Sequence, residues 1–133
     1  MRLLLDTNAY SALMRGELSI ANRVREAEEI LLSAVVAGEL LFGFRNGSRY
    51  LKNLKNLETF LKNPYVRFVP VSWTTADRFS RIAMALKQKG TPIPTNDIWI
   101  AAHAMEMGAD LISSDDHFSK VDGLAWIRPE ELP

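Results

Sequence analysis

The chain contains no cysteine, which excludes disulfides and thiolate metal sites and leaves carboxylate, imidazole, amide and carbonyl groups as the only ligands for a metal. It has no apolar run near the roughly 20 residues that a bilayer requires, so a soluble protein without a membrane partner is expected. The opening MRLLLDTN carries one Arg and a short apolar run that Asp6 interrupts, too brief for the core of an export signal, so a cytoplasmic location is expected. No Gly/Ser/Pro tract, low-complexity segment or internal repeat divides the 133 residues, so one domain and one core are expected. Net charge is also missing, with 16 basic and 16 acidic residues, which excludes binding to nucleic acid by overall basicity.

What is present is unevenly distributed. Residues 45–67 hold Arg45, Arg49, Lys52, Lys55, Lys62 and Arg67 against the single acid Glu58, whereas residues 95–133 hold eight acids against Lys120 and Arg128. Such segregation fits either two solvated surfaces or a basic tract and an acidic site with separate tasks.

The hydrophobic pattern alternates between short strands and longer helices. Arg2 to Leu5 reads as a buried strand that delivers Asp6 at its C-terminal end. Helices are expected from about Thr7 to Met14 and from about Ser19, the second carrying Ile20, Val24 and Ala27 on one face. Ile30 to Leu32 forms the next strand, Ser33 caps, and Ala37, Leu40, Leu41 and Phe44 mark a third helix that bears Glu39. After Gly47, Tyr50, Leu54, Leu57 and Leu61 recur at helical spacing until Asn63-Pro64. Val66 to Val71 is a strand candidate. Thr74 and Asp77 are spaced as a capping box before a stripe of Ala76, Phe79, Ala83 and Leu86 that Gly90 ends. Following the loop Thr91 to Asn96, Asp97 opens a helix with Ile98, Ala101, Ala102 and Met105 inward, closed by Gly108. Leu111 to Ser113 leads into Asp115-Asp116, and Leu124 to Ile127 is the last strand.

Strands separated by helices in this way predict a mainly parallel α/β sheet with helices on both faces, whose ligand site lies beyond the strand C-termini. Asp6 and Asp115 fall there. Asp6 follows a strand too apolar for the surface, and the neighbours of Glu39 and Asp97 are apolar, so these carboxylates need compensation. With two histidines and few nearby cations in sequence, a divalent metal is the economical partner.

Four motifs stand in order along the chain: L-L-L-D-T-N at the start, G-E-L-L-F-G in the third helix, P-T-N-D-I-W-I-A-A-H-A, and L-I-S-S-D-D-H-F near the end. Together they resemble a PIN domain of the VapC toxin type across the whole chain, residues 1–133 as one domain. The resemblance implies a three-layer α/β/α sandwich around a mostly parallel sheet, with Asp6, Glu39, Asp97 and Asp115 as an acidic quartet that holds Mg²⁺ or Mn²⁺. It further implies endoribonuclease activity leaving a 5′-phosphate and a 3′-hydroxyl, an RNA substrate, a cognate antitoxin and a homodimer. Asn8 and Ser113 match polar positions that orient the acids and bound water. Asp116 is a neighbouring carboxylate able to substitute for Asp115 or assist it, and His117 stands where relatives often carry another acid.

Arg45, Arg49 and Lys52, spaced i, i+4 and i+7, would share one helical face and form a phosphate-tracking surface. Trp73, Trp99 and Trp126 are expected in the core. The competing readings are a PIN nuclease of RNA processing, a non-catalytic RNA- or protein-binding PIN module, and a phosphotransfer enzyme similar to the haloacid dehalogenases. That last family requires a second Asp where this chain has Asn8.

Overall fold

Three consecutive leucines, Leu3, Leu4 and Leu5, are completely buried, and this is what a strand covered on both faces demands. They form β1 (Arg2–Leu5) at the centre of a five-stranded sheet. In this computed structural model, which describes residues 1–131, the strands β2 (Glu29–Ser33), β3 (Val66–Val69), β4 (Asp110–Ile112) and β5 (Trp126–Ile127) join β1 in the order β3-β2-β1-β4-β5. Every pairing is parallel. Side chains alternate across the pleat. Leu4 and Leu111 pack into one core with Leu31, Leu32, Val36, Leu40, Ile82 and Ile100, while Leu3, Leu5, Ile30 and Ile112 face a second core with Ala9, Ala12 and Ile20.

The helices are α1 (Thr7–Met14), α2 (Leu18–Glu26), α3 (Ala34–Asn46), α4 (Tyr50–Lys62), α5 (Trp73–Lys89) and α6 (Thr95–Met107). The expected α/β architecture is therefore found. Helix α3 starts as anticipated at Ser33, whose side chain accepts the Val36 amide at 3.1 Å. Helices α5 and α6 end on Gly90 and Gly108, both in the left-handed region at φ +70° and +60°, which only glycine enters without strain.

Three expectations are corrected. The capping box of α5 is Ser72 with Thr75 rather than Thr74 with Asp77. Asp77 instead lies one turn inside and pairs with Arg81 at 2.9 Å. The basic tract is not one helix: α3 stops at Asn46 and α4 begins at Tyr50, with Gly47 extended and Arg49 at φ −123°, ψ 38°. Asn, Gly and Ser in succession favour a turn over a helix, so Arg45 and Lys52 stand on different helices and the shared face of Arg45, Arg49 and Lys52 does not exist. Arg45 packs its guanidinium over the Tyr50 ring at 4.5 Å. Finally, Trp73 is not in the core but 87% exposed. Trp99 does pack, stacked on Phe79, and Trp126 donates its indole N–H to the Ser113 carbonyl.

The strand order places the site. From β1 the chain moves to β2 and β3 on one side, and β4 and β5 then fill the other, so connections diverge at the β1/β4 boundary. In open parallel sheets such a boundary forms a crevice beyond the strand ends.

Candidate metal centre

The register Leu5↔Ile112 makes the next residues on β1 and β4, Asp6 and Ser113, neighbours at the floor of that crevice. Both are buried. Asp6 caps α1, its Oδ1 accepting the Ala9 amide at 2.8 Å, while Oδ2 accepts the Ser113 hydroxyl at 2.5 Å. Ser113 Oγ in turn accepts the Asp115 amide at 3.0 Å. One hydroxyl thus couples the carboxylate after β1 to the backbone after β4.

Asp97 sits in the first turn of α6, where the helix dipole favours a negative charge. Asp115 caps a 3₁₀ turn, Asp116–Lys120, by accepting the His117 amide at 2.9 Å. The turn brings the His117 ring back over the crevice, with Nδ1 at 2.9 Å from Asp97 Oδ2 and 3.0 Å from Asp115 Oδ1. Glu39, on α3, is held from two sides: Thr7 donates to Oε1 at 2.9 Å and Asn96 to Oε2 at 3.4 Å. A groove of mixed polarity includes Glu39 and Asn96 in its lining, with Val35, Phe42, Val71 and Trp99 as its apolar part.

Asp6 and Asp97 feel neighbouring acids. Burial pushes the Asp6 carboxyl above its ordinary value; the Ser113 and Ala9 hydrogen bonds pull it down, and the Asp115 and Asp97 charges push it up again. Burial likewise raises Asp97, opposed by the hydrogen bond from His117 and reinforced by the charges of Asp115 and Glu39. Like charges gathered in a partly desolvated crevice disfavour their own ionisation, and a cation relieves that stress. Asp97, Asp115 and His117 each offer a ligand atom, and these three atoms lie within 4.8 Å of one another.

A sequence model of the PIN domain matches residues 3–124. The chain belongs to the PIN domain family. The PIN domain here is similar to the ribonuclease VapC1 of Haemophilus influenzae strain R2866, at 28% identity over 128 residues that cover 92% of this chain and 94% of the relative. Among solved structures it superimposes with a TM-score of 0.86 on VapBC2 from Rickettsia felis bound to a promoter DNA fragment, at 25% identity over 96% of this chain and 98% of that one. It superimposes equally, TM-score 0.86 and 25% identity, on VapBC-1 from nontypeable Haemophilus influenzae, covering 98% and 99% of the two chains.

Of the residues singled out in the sequence, this PIN domain brings Asp6, Glu39, Asp97, Asp115 and Ser113 together. Two others point elsewhere. Asn8 is exposed and lines a polar hollow with Arg15, Glu17 and Ser114. The Asp116 carboxylate turns to Arg128 and is 79% exposed. Sequence reasoning did not assign Thr7, Asn96 or His117. Thr7 and Asn96 each flank a quartet acid, Asp6 and Asp97, which was the available signal. For His117 the signal was its departure from the acid common at that position. No helix among the described residues is long and apolar enough to cross a membrane.

Proposed function

We propose that this PIN domain, residues 1–133 acting as one unit, is a divalent-metal-dependent endoribonuclease of the VapC type, the toxin of a toxin–antitoxin pair. The observation that carries the reading is the convergence of carboxylates from the end of β1, the middle of α3, the start of α6 and the segment after β4 on one crevice. Likeness, over almost the full length of both chains, to a ribonuclease VapC1 and to two VapBC structures supports it.

The donor set fits a hard cation. Asp6, Glu39, Asp97 and Asp115 would hold Mg²⁺ or Mn²⁺, and the spacing of the Asp97 and Asp115 ligand atoms suits a single coordination sphere. When bound, the cation offsets the carboxylate charge that would repel a phosphate, activates a water and stabilises the leaving 3′ oxygen during in-line displacement. The chain's own groups do the positioning. Ser113 and the Ala9 amide hold Asp6 in one orientation, and Thr7 and Asn96 hold Glu39. Burial raises the Asp6 and Asp97 carboxyls in the metal-free protein, a bias that a bound cation would offset. The expected products are a 5′-phosphate and a 3′-hydroxyl.

The groove that includes Glu39, part polar and part apolar, suits a helix or extended segment of an antitoxin that covers the crevice, and exposed Phe42 (69%) and Trp73 supply apolar surface for protein partners, including a second copy in a homodimer. Arg49 and Lys52, both exposed at the start of α4, remain our candidates for RNA phosphate contacts.

The test is cleavage of RNA by purified protein with Mg²⁺ or Mn²⁺. Asp6→Asn and Asp97→Asn should each abolish metal-dependent cleavage while circular dichroism shows the native helix content. Undiminished cleavage by either variant refutes the site.

A further inference from the structure

Within the proposed metal centre, the imidazole of His117 does not behave as a bystander. Its Nδ1 is nearly equidistant from Asp97 Oδ2 and Asp115 Oδ1, at 2.9 and 3.0 Å. It therefore occupies the space between two carboxylates that come from different elements. The ring is held there by its own backbone, since the His117 amide donates to Asp115 Oδ1. The adjacent Phe118, 2% exposed, pins the same 3₁₀ turn to the core. Here Nδ1 donates its proton to the acids; because the side chain is 43% exposed, a cation that replaces that proton would leave the ring proton on Nε2. Which nitrogen binds a metal is decided by what the other one does.

We propose that His117 Nδ1 is a ligand of the divalent cation in this chain, adding one nitrogen donor to the carboxylates and shifting the site's preference from Mg²⁺ toward Mn²⁺. The inference rests on the reading of the carboxylate cluster as a metal centre. Mg²⁺ is a hard ion that takes oxygen ligands in a strict octahedron, whereas imidazole binds later divalent ions more readily, in the order of softness and affinity that rises from Mn²⁺ onward. A nitrogen contributed by the residue that follows Asp115-Asp116 therefore distinguishes this chain from a relative with a carboxylate at that position.

The experiment measures metal binding rather than turnover. Apo protein of full length, without a histidine tag, is titrated with Mn²⁺ by electron paramagnetic resonance and with Mg²⁺ by calorimetry, at a pH where imidazole is neutral. Spin-echo modulation of the bound Mn²⁺ then reports a directly bound ¹⁴N nucleus. The only other histidine, His103, is fully buried, so the signal belongs to His117. Wild type should show the nitrogen. His117→Ala should lose it and bind Mn²⁺ about tenfold or more weakly, while Mg²⁺ affinity changes by less than about threefold. His117→Asp should restore tight binding without nitrogen modulation and with Mg²⁺ favoured relative to wild type. Absence of the nitrogen signal in wild type overturns the proposal. So does equal weakening for both ions in His117→Ala, or tighter binding of both, the result expected if the ring competes with the cation. Asp97→Asn separates the two levels of inference. If wild type binds either ion, Asp97→Asn does not, and no nitrogen is seen, His117 alone is misassigned. If wild type binds neither ion, or Asp97→Asn binds as tightly as wild type, the metal centre itself is refuted and this inference with it.

Discussion

Replacing Ser113 with alanine removes one oxygen from the floor of the crevice, and the two bonds that oxygen makes set the size of the effect. The side chain is fully buried. Its Oγ donates to the Asp6 carboxylate and accepts the Asp115 amide. A hydrogen bond to a charged group contributes about 1.5–3 kcal/mol and a neutral one about 1 kcal/mol. The Asp115 amide is only part-buried, so water recovers some of the second bond, and a loss of about 2–4 kcal/mol at neutral pH is expected for the metal-free protein. The loss should depend on pH. The folded-state pKa of Asp6 is raised, chiefly by burial, and the Ser113 hydrogen bond is the largest influence opposing that rise. A raised acid favours the folded state fully below its unfolded pKa and loses that contribution as pH climbs through the folded value. Without Ser113 the folded value rises further, so wild type and variant should differ most at neutral pH and converge as the pH falls through the range of Asp6. In an Asp6→Asn background no charge remains to be stabilised, and the cost of Ser113→Ala should fall to about 1 kcal/mol. Urea unfolding of the four proteins in chelator, at neutral and mildly acidic pH, measures each quantity. Equal destabilisation at both pH values and in both backgrounds would refute the assignment of Ser113 to the charge of Asp6.

The remaining predictions concern activity and binding. Asp115→Asn should reduce metal-dependent RNA cleavage at least about tenfold, because its carboxylate faces Asp97 and His117, whereas Asp116→Asn should stay within about threefold of wild type; initial-rate measurements decide, and a greater loss in Asp116→Asn means the fourth acid is misassigned. Thr7→Val frees one oxygen of Glu39 and should lower kcat about tenfold with little change in melting temperature, an expectation that an unchanged kcat overturns. Arg49→Ala with Lys52→Ala, in a catalytically dead Asp6→Asn background, should weaken RNA binding across sequences and flatten the salt dependence by about one to two units of slope, as read from fluorescence titrations at several salt concentrations. Arg45→Ala should instead lower stability by about 0.5–1 kcal/mol through loss of its packing on Tyr50, measured by urea unfolding.

Much of this architecture is local and could be read from residue order. The run Leu3-Leu4-Leu5 is too apolar for anything but a buried strand, so Asp6 had to emerge at a strand end, and Ser33, Gly90 and Gly108 mark helix boundaries through their own side-chain or backbone chemistry. The choice of the four acids comes from the resemblance of the four motifs to a PIN domain, while the hydrophobic period shows only that Asp6 ends a strand and that Glu39 and Asp97 stand on helices. What the sequence could not determine depends on pairing between distant segments or on the direction of a short turn. Asp6 and Ser113 are 107 positions apart, and only the β1–β4 register places one against the other. The i, i+4, i+7 spacing of Arg45, Arg49 and Lys52 means a common face only on an unbroken helix, and the turn after Asn46 separates them. Asp115, Asp116 and His117 are adjacent in sequence, yet the 3₁₀ turn sends Asp116 toward Arg128 and His117 toward Asp97. A hydrophobic pattern reports which side of an element is buried; which polar groups then meet across the crevice is decided by how the sheet is ordered and where the chain turns.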